Sequence, residues 1–145
     1  MYSIIDSKNF GRILYYLEHE QEDVVELLDK FFQFRIKLIQ RHKEILDELQ
    51  DFENSYQIHL TDVNFNFWIN ISGGSITYHT GVNKNSITTF EFTKDLIIKI
   101  LKQEISFSEA YMKGLFKIHG SLSQAINLRN LIKTLFKYRK NYFNK

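Results

Sequence analysis

With 145 residues the chain suits one domain, and 43% hydrophobic against 25% charged residues excludes wholesale disorder. A formal net charge of +2 gives no push toward nucleic acid, and no nucleic-acid partner is expected. The absence of cysteine excludes disulfides, thiolate metal sites and a cysteine nucleophile.

Asn9 to Glu20 reads as a short helix, with Phe10, Ile13, Leu14 and Leu17 on one face. Asp23 to Phe52 reads as a long helix, with Val24, Leu27, Leu28, Phe31, Ile36, Ile39, Ile45, Leu49 and Phe52 among its apolar positions. Whether residues 9–52 form one helix or two is left open. A helix over Asp23–Phe52 would be ~45 Å long at 1.5 Å per residue, more than a small domain spans. Its wide apolar stripe packs either within the chain or against a second copy, so a homodimer through the Asp23–Phe52 helix stands as one expectation.

After Asn54 the period changes to two. Tyr56, Ile58 and Leu60 alternate with Gln57 and His59, and Phe65, Phe67, Ile69 and Ile71 alternate with Asn66, Trp68 and Asn70. Gly73-Gly74 predicts a tight hairpin, because paired glycines supply the positive φ of a primed turn. Ser75 to Thr80 returns as a third strand, and Ser86 to Phe92 is a fourth with Phe90 and Phe92 on one face. Thr93 is an N-cap for a helix over Lys94 to Gln103 that presents Leu96, Ile97, Ile100 and Leu101 inward.

The stretch from Ser106 to Gly120 holds the densest local signals. Ser106 with Glu109 is a capping box, and Gly114 is placed to end the short helix that it opens. Leu115 to His119 reads as a fifth strand with Phe116 and Ile118 on one face. Ser121 with Gln124 is a second capping box, opening a last helix rich in apolar residues. The element order gives an α+β fold: a five-stranded, mostly antiparallel sheet covered on one face by helices, with a long N-terminal helix. Residues 1–53 are expected to form a helical region packing on a core of residues 54–145.

The run Phe107, Ala110-Tyr111-Met112-Lys113-Gly114, Lys117-Ile118 and Gly120, followed by Ala125, Leu128 and Leu131, resembles the sterol carrier protein type 2 domain. That family is a lipid-binding and lipid-transfer module. The resemblance extends more weakly back to about Tyr56. It implies a five-stranded sheet with helices over one face and an apolar ligand, and it carries no catalytic residues. The motif is specific for the fold and silent on the ligand.

The expected ligand site lies between the sheet and the helices after Thr93, and its expected residues are Phe67, Phe90, Phe92, Ile97, Ile100, Leu101, Phe107, Tyr111, Met112, Phe116, Ile126 and Leu131. Burial of an apolar ligand there is favourable by ~25 cal/mol per Å². The same stripes usually fill a solid core. A fatty acyl chain, isoprenoid or sterol-like lipid is the expected ligand; the alternatives are an oligomerisation or partner-binding scaffold with a filled core, or a lipid-presenting accessory subunit of an enzyme.

No catalytic residue, metal site or cofactor is expected. No serine sits in a nucleophile elbow, and no Walker loop or dinucleotide fingerprint is present. His59, His79 and His119 fall on the strand parity opposite the apolar residues and are expected to face solvent; His19 and His42 are isolated on helices. The tail Lys137-Tyr138-Arg139-Lys140-Asn141-Tyr142-Phe143 is basic and aromatic, which suits either a solvated helix end or transient contact with a membrane surface. No N-terminal run reads as a signal peptide, none reaches the ~20 apolar residues needed to cross a bilayer, and the last residues are not a peroxisomal tripeptide. A cytoplasmic protein is expected.

Overall fold

The computed structural model describes residues 24–86 and 88–142, with side chains described as far as residue 135. The helix read over Asn9–Glu20 and the side chains of the basic tail lie outside the described residues. Two helices come first, α1 (Val24–Gln40) and α2 (Lys43–Glu48). Four strands follow: β1 (Asn54–Leu60), β2 (Phe65–Ser72), β3 (Ser75–Thr80) and β4 (Thr88–Phe92). Then come α3 (Lys94–Leu101), α4 (Phe107–Met112), β5 (Lys117–Gly120) and α5 (Leu122–Tyr142).

The sheet order is β3-β2-β1-β4-β5. β1 pairs antiparallel with β2, β2 with β3, and β4 with β5, while β1 and β4 run parallel. The α+β expectation therefore holds, with one parallel joint at the centre. Gly73 and Gly74 both have positive φ, 58° and 79°, and close the β2–β3 hairpin as a primed turn requires.

The parallel joint forces the chain from the β3 edge over β2 and β1 to reach β4. This crossover lies on the face opposite Tyr56, Ile58 and Leu60. Gln57 is the clamp. Its Nε2 donates to the Phe67 and Gly81 carbonyls at 3.1 Å each, and its Oε1 accepts from the Asn83 amide at 2.7 Å. Asn83 Nδ2 in turn donates to Ser55 Oγ at 3.0 Å. Gln57 is thus buried on the polar parity of its strand.

A single helix over Asp23–Phe52 is not what forms. α1 ends at Gln40, and Arg41 and His42 bond back to the Leu38 and Ile39 carbonyls in a tightened last turn. His42 is extended (φ −109°, ψ 100°) and starts α2. The reason lies in the apolar phase. In one straight helix Ile45 would point about 180° away from Ile36, at 100° per residue. The break turns Ile45 and Leu49 back inward, and both are fully buried. At 1.5 Å per residue the 17-residue α1 is about 26 Å long, which fits a small domain.

α1 lies against the β3 side of the sheet. Phe32 packs on Phe67 with ring centroids 4.6 Å apart and the rings tilted by 30°. Tyr78 Oη donates to Asp29 Oδ1 at 2.8 Å; burial, and then that bond, push its phenol above the ordinary range. Gln40 Nε2 donates to the Ile76 carbonyl at 2.7 Å. That contact occupies a polar group of the edge strand.

The later helices start and stop as their residues dictate. Thr93 Oγ1 caps α3 through the Leu96 amide, and Ser106 Oγ caps α4 through the Glu109 amide. α4 ends in a Schellman motif: the Leu115 amide bonds the Ala110 carbonyl, the Gly114 amide bonds that of Tyr111, and Gly114 takes φ 66°. Ser121 Oγ caps α5 through the Gln124 amide. The reciprocal arm of that box is replaced. The buried Thr88 hydroxyl accepts the Ser121 amide, and Gln124 Nε2 reaches Asn54 Oδ1 instead, tying the first turn of α5 to β4 and β1.

The Gln57 clamp yields a prediction. Gln57→Ala removes three hydrogen bonds and should cost about 2–4 kcal/mol at roughly 1 kcal/mol each. The expected readout is a lower urea midpoint. An unchanged midpoint would mean that the crossover does not depend on Gln57.

Candidate functional site

Between the sheet and the helices lies a cavity of about 120 Å³. The sheet supplies Ile58, Phe67, Ile69 and Phe92, and α3 supplies Ile97, Ile100 and Leu101. Phe107 closes one end from α4. α5 gives Leu128, Leu131, Ile132 and Leu135, and α1 gives Phe31, Phe32, Arg35, Ile36 and Ile39. Arg35 is the one charged residue in this wall. It is buried, with its guanidinium carbon 5.9 Å from the Phe31 ring centroid, within reach of a cation–π contact.

Seven of the expected residues meet at this cavity: Phe67, Phe92, Ile97, Ile100, Leu101, Phe107 and Leu131. Phe90 and Phe116 are buried but do not line it. They pack in an aromatic cluster in which Phe116 lies 4.7 Å from Phe92 and 4.9 Å from Phe107, and Phe90 lies 6.3 Å from Tyr56. Tyr111, Met112 and Ile126 are corrections. They are exposed and border an outer groove between α4 and α5. Met112 sits about 140° around the helix from the inward Phe107, and Ile126 about 160° from the inward Leu128, at 100° per residue. Tyr111 comes at the end of a six-residue helix, where its ring touches only the rim of the cluster, 6.0 Å from Phe116.

The contribution of α1 was not expected. Its signal is present: Phe31, Arg35 and Ile39 recur at four-residue spacing, which places a cation within an otherwise apolar stripe.

The opposite sheet face is polar. Glu91 on β4 lies between His119 on β5, 3.0 Å away, and His59 on β1, 3.9 Å away. His79 stacks on Trp68 at 4.0 Å. His79 and His119 face solvent as expected, whereas His59 is half-buried. Among the described residues no group of three His, Cys, Asp or Glu side chains could hold a metal ion, and no helix is long and apolar enough to cross a membrane.

The sequence model of the SCP-2 sterol transfer family matches residues 19–133. The chain belongs to that family. Its fold is that of solved family structures. A crystal structure of sterol carrier protein 2 superposes with a TM-score of 0.55 at 12% identity, over 71% of this chain and 91% of that one. A solution structure of a possible sterol carrier protein from Thermus thermophilus gives 0.55 at 11% identity, over 77% and 85%. The fold also forms part of a larger enzyme: a sec-alkylsulfatase from Pseudomonas sp. matches with a TM-score of 0.52 at 17% identity, over 59% of this chain and 14% of that one. Among curated proteins, the COMM domain-containing protein 7 of Dictyostelium discoideum is 30% identical over 119 residues, 81% of this chain and 54% of that one. This SCP-2 family chain therefore spans about half the length of that relative.

The Glu91 cluster carries a pH prediction. The hydrogen bond from His119, with the nearby charges of His59 and Lys117, holds the Glu91 carboxyl below the usual carboxylate range against an opposing push from burial. A carboxylate whose pKa falls on folding stabilises fully above its unfolded value, ~4.3, and that stabilisation is lost as pH falls through the folded value. The gap in urea midpoint between the parent chain and Glu91→Gln should therefore be open near pH ~6 and close as the pH falls below ~4. A gap that stays constant would contradict the pairing.

Proposed function

We propose that this chain binds and carries one apolar lipid-like ligand, a fatty acyl chain, isoprenoid or sterol-like molecule, without any covalent step. The observation that carries the reading is the inner cavity, whose wall holds sixteen apolar residues and one arginine. Membership of a sterol transfer family supports it. Such a wall binds by taking apolar surface out of water, at ~25 cal/mol per Å² buried, and needs few polar contacts. The region before Asn54 then belongs to the ligand site, since α1 supplies five of the lining residues.

At about 120 Å³ the resting cavity is smaller than the ~150 Å³ cavity known to take up benzene. A whole lipid therefore enters only as the wall yields. α5 is the element suited to move. Its first turn is tied to β4 and β1 through Thr88 and Asn54, while the cavity wall comes from its next turns, Leu128 to Leu135.

The main rival is assembly through the N-terminal helices, with the core as filler. The packing of Leu28, Phe31, Ile36 and Ile39 into the chain's own core favours carriage. The occurrence of this fold inside a sec-alkylsulfatase supports a variant of the carrier reading, in which the bound lipid is presented to an enzyme.

Native mass spectrometry of gently purified protein, followed by denaturing extraction and lipid analysis, tests the proposal. A stoichiometric lipid is expected. Leu131→Trp should fill the cavity, cost about 1–3 kcal/mol by overpacking and weaken uptake of a fluorescent fatty acid at least tenfold. Leu131→Ala enlarges the cavity, and should keep or improve uptake while costing about 2–5 kcal/mol of stability. A folded parent chain that carries no lipid and takes up no fatty acid would sink the carrier reading.

A further inference from the structure

At about 120 Å³ the inner cavity takes only part of an acyl chain. A second concavity, of about 330 Å³, lies between α4 and α5. Phe107 lines both, and it is the one residue that the two share. α5 is the partition. Leu128 and Leu131 line the inner cavity, while Ala125, Ile126 and Arg129 line the outer groove.

The two spaces differ in chemistry. The inner wall is apolar apart from Arg35. The groove joins exposed apolar residues, Met112, Leu122 and Ile126, to three side chains that can donate hydrogen bonds, Ser108, Tyr111 and Arg129. No carboxylate lines it. Glu109 close by is bonded to Lys113 at 3.1 Å, and Lys133, one turn beyond Arg129 on α5, is exposed. Among the described residues Arg129 Nε is buried with no acceptor, and Nη2 reaches only Asn130 Oδ1, at 3.4 Å. A buried donor without an acceptor costs free energy that an anion in the groove would recover.

We propose that the α4–α5 groove is the head-group site of the carried ligand: a single-chain amphiphile whose anionic oxygens, carboxylate or phosphate, are held by Arg129 while its tail passes Phe107 into the inner cavity. The proposal rests on the carrier reading and narrows its ligand class. Arg35 is the other cation on the path, but its guanidinium already lies over the Phe31 ring, and a head placed there would shed all of its water in an apolar chamber. In the groove the head keeps one side in water. A flexible chain can thread past Phe107. The fused rings of a sterol cannot bend there, and a neutral hydroxyl gives the guanidinium no charge-assisted bond.

The experiment is calorimetric titration of the full chain with dodecanoate, dodecyl phosphate and dodecanol, which share one alkyl chain, and with cholesterol. The two anions are expected to bind about tenfold tighter than dodecanol, the scale of one hydrogen bond to a charged group. The tighter of the two identifies the head as carboxylate or phosphate. Arg129→Gln should bring the anions to the level of dodecanol and leave dodecanol unchanged. Ile126→Trp should fill the groove and weaken both anions. Both positions are at least partly exposed, so both variants should melt as the parent does. Dodecanol or cholesterol binding as tightly as the anions would overturn the head-group site and leave the carrier reading standing. So would an anion preference that survives Arg129→Gln, which would move the head to Arg35, or anion binding that Ile126→Trp leaves intact. Failure of all four ligands to bind would remove the carrier reading itself, and this proposal with it.

Discussion

The parallel pairing of β1 with β4 is the constraint on which the rest of this structure depends. Three strands arrive as a meander, and the fourth must return to the open side of the first. A parallel partner cannot be reached by a tight turn. The chain therefore crosses the sheet, and the crossover occupies one face. Gln57 converts that crossing into a fixed structure by satisfying backbone groups that would otherwise be stranded above the sheet. The other face, carrying Tyr56, Ile58, Phe67, Phe90 and Phe92, is left for the helices.

Covering that face takes helices from both ends of the chain. α1 comes from before the sheet, and α3, α4 and α5 from after β4. Four helices of different length and direction do not tile a twisted sheet without remainder, and the remainder is the inner cavity. Its boundary with the outside is thin where α4 is short. Phe107 faces inward, and the helix ends at Met112, so Tyr111 and Met112 are carried past the core edge into solvent. Phe107 consequently lines both the inner apolar chamber and the outer groove.

Much of the fold was legible from residue order. Thr93, Ser106 and Ser121 cap the helices that they were read to open, Gly114 ends α4, and Gly73-Gly74 closes the hairpin. These signals are local: each depends on hydrogen bonds between residues three to five apart. What was misread depends on phase over longer distances. Asp23–Phe52 has apolar residues at spacings that suit a helix in each half, but the two halves point in different directions, and only a break near His42 brings both to the core. Gln57 had the parity of a solvent-facing residue and is buried by a loop 26 residues downstream. Arg35 stood in a legible stripe with Phe31 and Ile39, but that this stripe lines a cavity is set by the packing of distant elements.

The sequence by itself determined the element order from β1 onward, the caps, the turns, the faces of the strands and the family. It did so because periodicity, capping and turn chemistry are properties of neighbouring residues, and they survive whatever the rest of the chain does. The tertiary structure decided which apolar residues became wall, which became solid core and which stayed outside. Phe92 and Phe90 share one strand and one face, yet one lines the chamber and the other fills an aromatic cluster. That difference is set by how closely the volumes of helices distant in sequence fit over the sheet, a quantity that no local pattern records.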